Sequence, residues 1–182
     1  MKKMFLIIII FLICVLLIEK GLNSQFNNQK PPQKEGNMKL TTVFEDNENI
    51  PSQYTCDGQD LAPELDVLEV PSDAKELVLI VDDPDAPMGT WVHWVLYNIP
   101  ANTLKIDEKN LPQGTKQGMT DFGRVGWGGP CPPSGTHRYF FKLYAIDKVL
   151  ELPNRARKTE VENAIKDHII EEAQIIGLYN RK

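Results

Sequence analysis

Gly129-Pro130-Cys131-Pro132-Pro133-Ser134-Gly135-Thr136-His137-Arg138-Tyr139-Phe140-Phe141 is a rigid loop that runs straight into a strand. Three prolines fix the backbone of the loop. Its glycines are free to expose backbone N–H groups, the makings of an anion cradle. From His137 onward the pattern alternates, so His137, Tyr139, Phe141 and Leu143 share one face. Residues 138–146 are the longest and clearest strand of the chain. Working outward, Trp91–Ile99 ends at Pro100 and reads as a second strand, Leu77–Val81 as a short buried one, and Met38–Phe44 as a first one. Turn-forming clusters separate them: Asp57-Gly58, Pro84 to Gly89, and Gly123 to Gly135. Strands joined by long irregular connections, with no helix between successive strands, indicate a mainly antiparallel β domain. One helix is expected near the end. Thr159-x-x-Glu162 reads as a capping box, Val161, Ile165, Ile169 and Ile176 repeat on one side, and Gly177 is a natural stop.

The chain has 182 residues, 42% hydrophobic and 25% charged, which fits one globular domain plus an extra segment. A core of about 140 residues folds without needing metals or disulfides. A net charge of -5 argues against nucleic acid as a partner, because that role wants a basic face. The extra segment comes first. Met1-Lys2-Lys3 is a basic head, and Met4 to Ile18 is apolar throughout. Residues 1–22 therefore read as a signal peptide or an N-terminal membrane anchor. A clean cleavage site is missing, and Ile13 before Cys14 is too large for a lipoprotein signal. Either reading places the domain outside the cytoplasm, secreted or membrane-anchored through residues 4–18. Residues 23–37, rich in Asn, Gln, Lys and Pro, read as a flexible linker, and residues 38–182 as the domain.

The candidate chemistry is concentrated in three places. His93 and His137 each stand near the start of a strand beside a turn-rich loop. Simple alternation groups His93 with Val95 and Tyr97, opposite Trp94 and Leu96. Asp82-Asp83-Pro84-Asp85-Ala86-Pro87 leaves the buried strand with its backbone held by two prolines. A carboxylate fixed this way can orient an imidazole, or can simply bond local N–H groups as an Asx-type turn. The stretch from Gly123 to Gly135 brings five glycines and no following helix, so it is not a nucleotide-binding loop. Asp121-Phe122-Gly123 and His137-Arg138-Tyr139 mimic kinase fragments, in the wrong order and without the catalytic Asp. His168 reads as a partly covered helix residue.

Asp83-Pro84-Asp85-Ala86-Pro87, then His93-Trp94, then Gly129 to Tyr139, resemble the two signature regions of the phosphatidylethanolamine-binding protein family, which includes Raf kinase inhibitor protein. Tyr54-Thr55-Cys56-Asp57-Gly58 and Pro63 are similar to its bacterial and archaeal branch. The resemblance covers the chain from about Lys39 to the C-terminus. It implies a β-sandwich-like fold with a large central antiparallel sheet, a smaller sheet and a C-terminal α-helix. It also implies a pocket for small anions or phosphate headgroups, built from Asp83, His93, Gly129, His137 and Tyr139, with Pro87 and Pro130 shaping the walls. No cofactor or metal is implied, and no partner protein is named by the residues. On this reading Asp83 orients one imidazole, while both imidazoles and the Tyr139 hydroxyl donate to anion oxygens and loop N–H groups complete the shell. Affinity then falls as the histidines lose protons.

Cys56 and Cys131 are an even pair in a domain read as exported, so a disulfide and two buried free thiols both remain open. No spacing suits a zinc site. Three functional classes follow. The leading one is a non-enzymatic anion-binding domain. The second is a small hydrolase using Asp83 with His93 or His137 as an acid–base pair, with Ser134 as the nearest nucleophile. The third is a protein-interaction module.

Overall fold

The computed structural model describes residues 37–181. The expected leader, and all of the expected linker except Asn37, lie outside the described residues. Among those described, no helix is long and apolar enough to cross a membrane.

The domain is mainly β, with two sheets and one helix. A small sheet pairs β1 (Lys39–Thr41), β3 (Leu65–Leu68) and β6 (Lys105–Ile106) antiparallel in the order β1-β3-β6. The large sheet contains β2 (Glu48–Asn49), β9 (Ile169–Asn180), β8 (Thr136–Ile146), β4 (Glu76–Asp83), β5 (Trp91–Pro100) and β7 (Lys116–Gln117), in the order β2-β9-β8-β4-β5-β7. Its pairings are antiparallel except for the short parallel contact of β2 with β9.

The apolar run Leu77–Val81 is explained by where β4 lies. It sits between β5 and β8 and is buried on both faces. Leu77, Leu79 and Val81 point into a core that also takes Leu40, Leu65, Val67 and Ile106 from the small sheet. Val78 and Ile80 point the other way, into a second core completed by α1 (Lys158–Ile165) through Val161 and Ile165.

The expected helix is present but much shorter than the periodicity suggested. Its first turn is closed by Arg157, whose N–H donates to Glu160 Oε2 at 2.8 Å, and not by Thr159. It ends at Ile165, and Ile169 and Ile176 belong to β9 instead. Pairing decides this. The whole edge of β8 is open to a partner, and residues 169–180 fill it in register from Thr136↔Asn180 to Ile146↔Ile169. Ala173, Ile175 and Gly177 are buried at period two, which is strand spacing. Gly177 is not a helix stop. It lies inside β9 beneath Phe44 and Ile50, where an added Cβ would come within 2.4 Å of Ile50 Cγ1. His168 falls in the turn between α1 and β9, and its Nδ1 lies 2.8 Å from Asp147 Oδ1.

Candidate functional site

At one end of the large sheet, β4, β5 and β8 bring Asp83, His93, His137 and Tyr139 to a cavity of about 210 Å³. Asp83 (3% exposed), His93 (3%), His137 (6%) and Tyr139 (0%) are all buried. Ala86, Pro87, Trp91, Phe122, Cys131, Pro132 and Pro133 complete the lining.

His137 and Tyr139 arrive by the alternation of β8. His93 does not arrive by the alternation of β5. Val81 pairs with Trp94 and Asp82 with Val92, so His93 is an extra residue between two rungs of the ladder. This bulge corrects the simple alternation. Val95 and Tyr97 stay in the helix-side core, whereas His93 packs edge-to-face on Tyr139 with ring centroids 5.1 Å apart. Its ring also touches Phe122 at 5.4 Å and lies 6.4 Å from Trp127.

The two imidazoles are held differently. His137 Nδ1 lies 2.7 Å from Asp83 Oδ2, so a carboxylate accepts its N–H and Nε2 is left for the cavity. Asp83 Oδ1 accepts the N–H of Asp85 at 2.8 Å. Asp83 therefore does both things open to it, forming the local turn and orienting one imidazole. His93 Nδ1 instead donates to the carbonyl of Gly128 at 2.5 Å. Burial pushes the His93 pKa down, opposed by the Gly128 carbonyl and by Asp83. A carbonyl only accepts, so Nδ1 carries its hydrogen, and in the neutral form that burial favours Nε2 is an acceptor. For His93 this arrangement favours an acceptor at Nε2 over the expected donor. The Tyr139 hydroxyl is buried and, among the described residues, has no acceptor for its hydrogen, although the Cys131 backbone N–H lies near its oxygen. Burial, reinforced by Asp83, pushes this phenol up, so it remains a donor.

Two other expectations change. Gly129 and Pro130 do not line the cavity. The Gly129 N–H is taken by Asp60 Oδ1 at 2.7 Å, and the Pro130 carbonyl accepts from Cys56 N–H. A Cβ on Gly129 would meet Asp60 Oδ1 at 2.4 Å, so this glycine serves a close approach within the protein. The neighbouring N–H groups of Trp127 and Gly128 are spent on Glu108 and on the His93 carbonyl. The N–H groups of the glycines at 128 and 129 are thus spent within the protein and do not form a cradle of free donors. The other two acids lie elsewhere. Asp85 holds Arg138 in a two-pronged pair at 2.7 and 2.9 Å, and that guanidinium brings the Asp85 pKa down to about 2. Asp82 points to the opposite face and meets Lys142 and Lys158.

Cys56 and Cys131 form a disulfide across 75 residues of sequence. It ties the early turn to the cavity wall, because Cys131 is itself a lining residue. Sequence reasoning missed Trp91 and Phe122, which stack edge-to-face at 5.5 Å and close one side. The signal for Phe122 was its place immediately before the glycine-rich stretch, set aside with the kinase-like fragment. Among the described residues, no group of three or more potential metal ligands occurs.

The family model for phosphatidylethanolamine-binding protein matches residues 40–180. The chain belongs to this family. A UPF0098 protein of Methanothermobacter thermautotrophicus is 50% identical over 146 residues, covering 78% of this chain and 97% of that one. A UPF0098 protein of Aquifex aeolicus is 50% identical over 145 residues, covering 76% and 85%. Among solved structures, a phosphatidylethanolamine-binding protein homologue from Chlamydia trachomatis superimposes with a TM-score of 0.76 at 37% identity, covering 81% of this chain and 99% of that one. E. coli YbcL, described as a member of the mammalian family, gives 0.74 at 30% identity, covering 80% and 99%. The family suggested by the motifs Asp83–Pro87 and Gly129–Tyr139 is the family found, and the phosphatidylethanolamine-binding protein fold of two sheets with a helix in the C-terminal region is the fold observed.

Proposed function

We propose that the cavity between Asp83, His93, His137 and Tyr139 binds a small oxyanion or phosphate-bearing ligand without converting it. The observation that carries this reading is the Tyr139 hydroxyl, a buried donor with no acceptor among the described residues. Leaving such a group unsatisfied costs about 1–3 kcal/mol, and a ligand oxygen in the cavity removes that cost. His137, aimed by Asp83, supplies a second group at the same place.

Binding is favoured over turnover by the lining. It offers no Ser, Thr or Lys, its one cysteine is in a disulfide, and Ser134 is not part of it. We place the domain outside the cytoplasm, as the leader suggested. Disulfides persist in oxidising compartments, and Cys56–Cys131 is in keeping with that.

Calorimetric titration of the native protein and of His137→Asn with inorganic phosphate and phosphoethanolamine tests the reading. The expected result is saturable one-site binding by the native protein, at least tenfold weaker in the variant. No binding by the native protein, or turnover of phosphate esters lost in His137→Asn, would sink it.

A further inference from the structure

Resting on that reading, one property of the pocket narrows its ligand. The hydrogen-bonding groups of the cavity are biased toward acceptors. On β5, His93 has committed its Nδ1–H to Gly128 and offers the Nε2 lone pair. On β4, Asp83 offers carboxylate lone pairs beyond those used by His137 and Asp85. On β8, Tyr139 is a donor, and His137 Nε2 accepts when the ring is neutral and donates when it is charged.

Among the described residues, no unpaired cation offsets the carboxylates. Arg138, the nearest, is spent on Asp85. Lys142 and Lys158 lie across the sheet on Asp82, and Asp121 faces the N–H of Val92. Arg124 lies over the outer Phe122 ring and beside Asp60. A fully deprotonated dianion entering here meets the buried Asp83 carboxylate and a lone pair on His93. Both are repulsive in a dry site. An oxyanion that keeps one hydrogen donates it to that lone pair or carboxylate, while its other oxygens accept from Tyr139, and from His137 when that ring is charged.

We infer that the pocket is matched to a singly charged oxyanion that brings its own hydrogen: dihydrogen phosphate or the monoanion of a phosphomonoester, in preference to a fully deprotonated oxyanion or a phosphodiester. The same chemistry is offered by free phosphate and by a small monoester, but not by the phosphodiester of an intact phospholipid.

The test is a panel titrated into the full-length protein by calorimetry. Inorganic phosphate and methyl phosphate carry the hydrogen at about pH 5.5, below a second ionisation near about 6. Sulfate is a dianion there, and dimethyl phosphate is a monoanion with no hydrogen to give. The expected result is that phosphate and methyl phosphate bind at least about tenfold more tightly than either comparator, one lost hydrogen bond in size. At about pH 8.5, methyl phosphate binding takes up at least one proton, and a second where His137 becomes charged with it, read from the dependence of the heat on buffer ionisation enthalpy; no uptake overturns the inference. Long-range nitrogen NMR shows His93 Nε2 unprotonated in the free protein and shifted by phosphate but not by sulfate. Equal affinity for methyl and dimethyl phosphate, or a protonated His93 Nε2 at neutral pH, overturns the inference while leaving oxyanion binding intact. Binding of dimethyl phosphate alone points to a lipid headgroup and also overturns it. Binding of none of the four overturns the proposed function as well.

Discussion

Replacing Tyr139 by Phe separates what the hydroxyl does for the fold from what it does for a ligand. In the free protein that hydroxyl is buried and finds no acceptor among the described residues, with only the Cys131 backbone N–H near its oxygen, so its removal breaks no strong hydrogen bond. An unsatisfied buried hydroxyl costs about 1–3 kcal/mol, partly offset in the variant by the small void left behind. Tyr139→Phe is therefore expected to be about 1 kcal/mol more stable than the native protein, which for a domain of this size raises the denaturation temperature by roughly 2–4 °C. The ligand effect has the opposite sign. A hydrogen bond from a neutral donor to a charged oxygen contributes about 1.5–3 kcal/mol, so phosphate affinity falls by about 10- to 150-fold. Scanning calorimetry gives the first number and titration calorimetry the second, on the same preparation. A denaturation temperature lowered by more than about 4 °C would show that the hydroxyl has a structural partner. Unchanged affinity would show that it does not face the ligand. Either result refutes the reasoning.

Three other perturbations follow from the structure. The Cys56–Cys131 bridge closes a 75-residue loop, for which chain entropy gives about 4.5 kcal/mol; with the usual shortfall to about 3, a Cys56→Ser/Cys131→Ser protein should unfold about 6–12 °C lower, and a shift under about 2 °C contradicts this. Asp85 is held near about 2 by Arg138, below its usual 3.8, so the pair stabilises the fold fully above pH 3.8 and its contribution disappears as pH falls through about 2; carboxyl NMR of Arg138→Ala should show the Asp85 midpoint returning toward 3.8, and an unmoved midpoint would dismiss the pair as the cause. Gly177→Ala drives a methyl against Ile50 and Phe44, with the nearest carbon at 2.4 Å, and should cost about 1–3 kcal/mol in denaturant unfolding, where a neutral result would mean that β9 shifts freely.

The strands that carry the site were legible because burial imposes a pattern on them. β4 is covered on both faces and reads as a solid apolar run, while β8 alternates and places His137 and Tyr139 together without help from any neighbour. Short edge strands such as β2, β6 and β7 have two residues each, too few for any period to show. β9 was misread because isoleucines at 165, 169 and 176 match a helix, whereas the competing partner, the open edge of β8, exists only in three dimensions. His93 was chosen for the right pocket with the wrong neighbours. A bulge is a property of two strands in register, and nothing in Trp91–Tyr97 alone marks it. The fate of the glycine loop was hidden for the same reason, since Asp60, Glu108 and His93, which take up its N–H groups, are remote in sequence.

The adjacent acids Asp82 and Asp83 show how one backbone rule makes both a support and a site. Successive residues of a strand face opposite ways, so the pair is split across the sheet. Asp82, 1% exposed, lies within 2.8 Å of Lys142 and 2.6 Å of Lys158. A buried carboxylate left alone would be costly, and two ammonium groups balance it while pinning the first turn of α1 to the sheet. Asp83 faces the cavity, and among the described residues His137 is its only ion-pair partner. Charge that stabilises is thus kept on the helix side, and the uncommitted polar groups are kept on the cavity side. The bulge at His93 lets β5 break the same alternation at one point. With the bulge, Val92 remains in the helix-side core and His93 still reaches Tyr139 and the Gly128 carbonyl. Without it, His93 would turn toward Val95 and Tyr97, an imidazole would enter an apolar core, and the Gly128 carbonyl would lose its donor. The pocket therefore depends less on which residues β5 contains than on one extra residue between two rungs of its ladder.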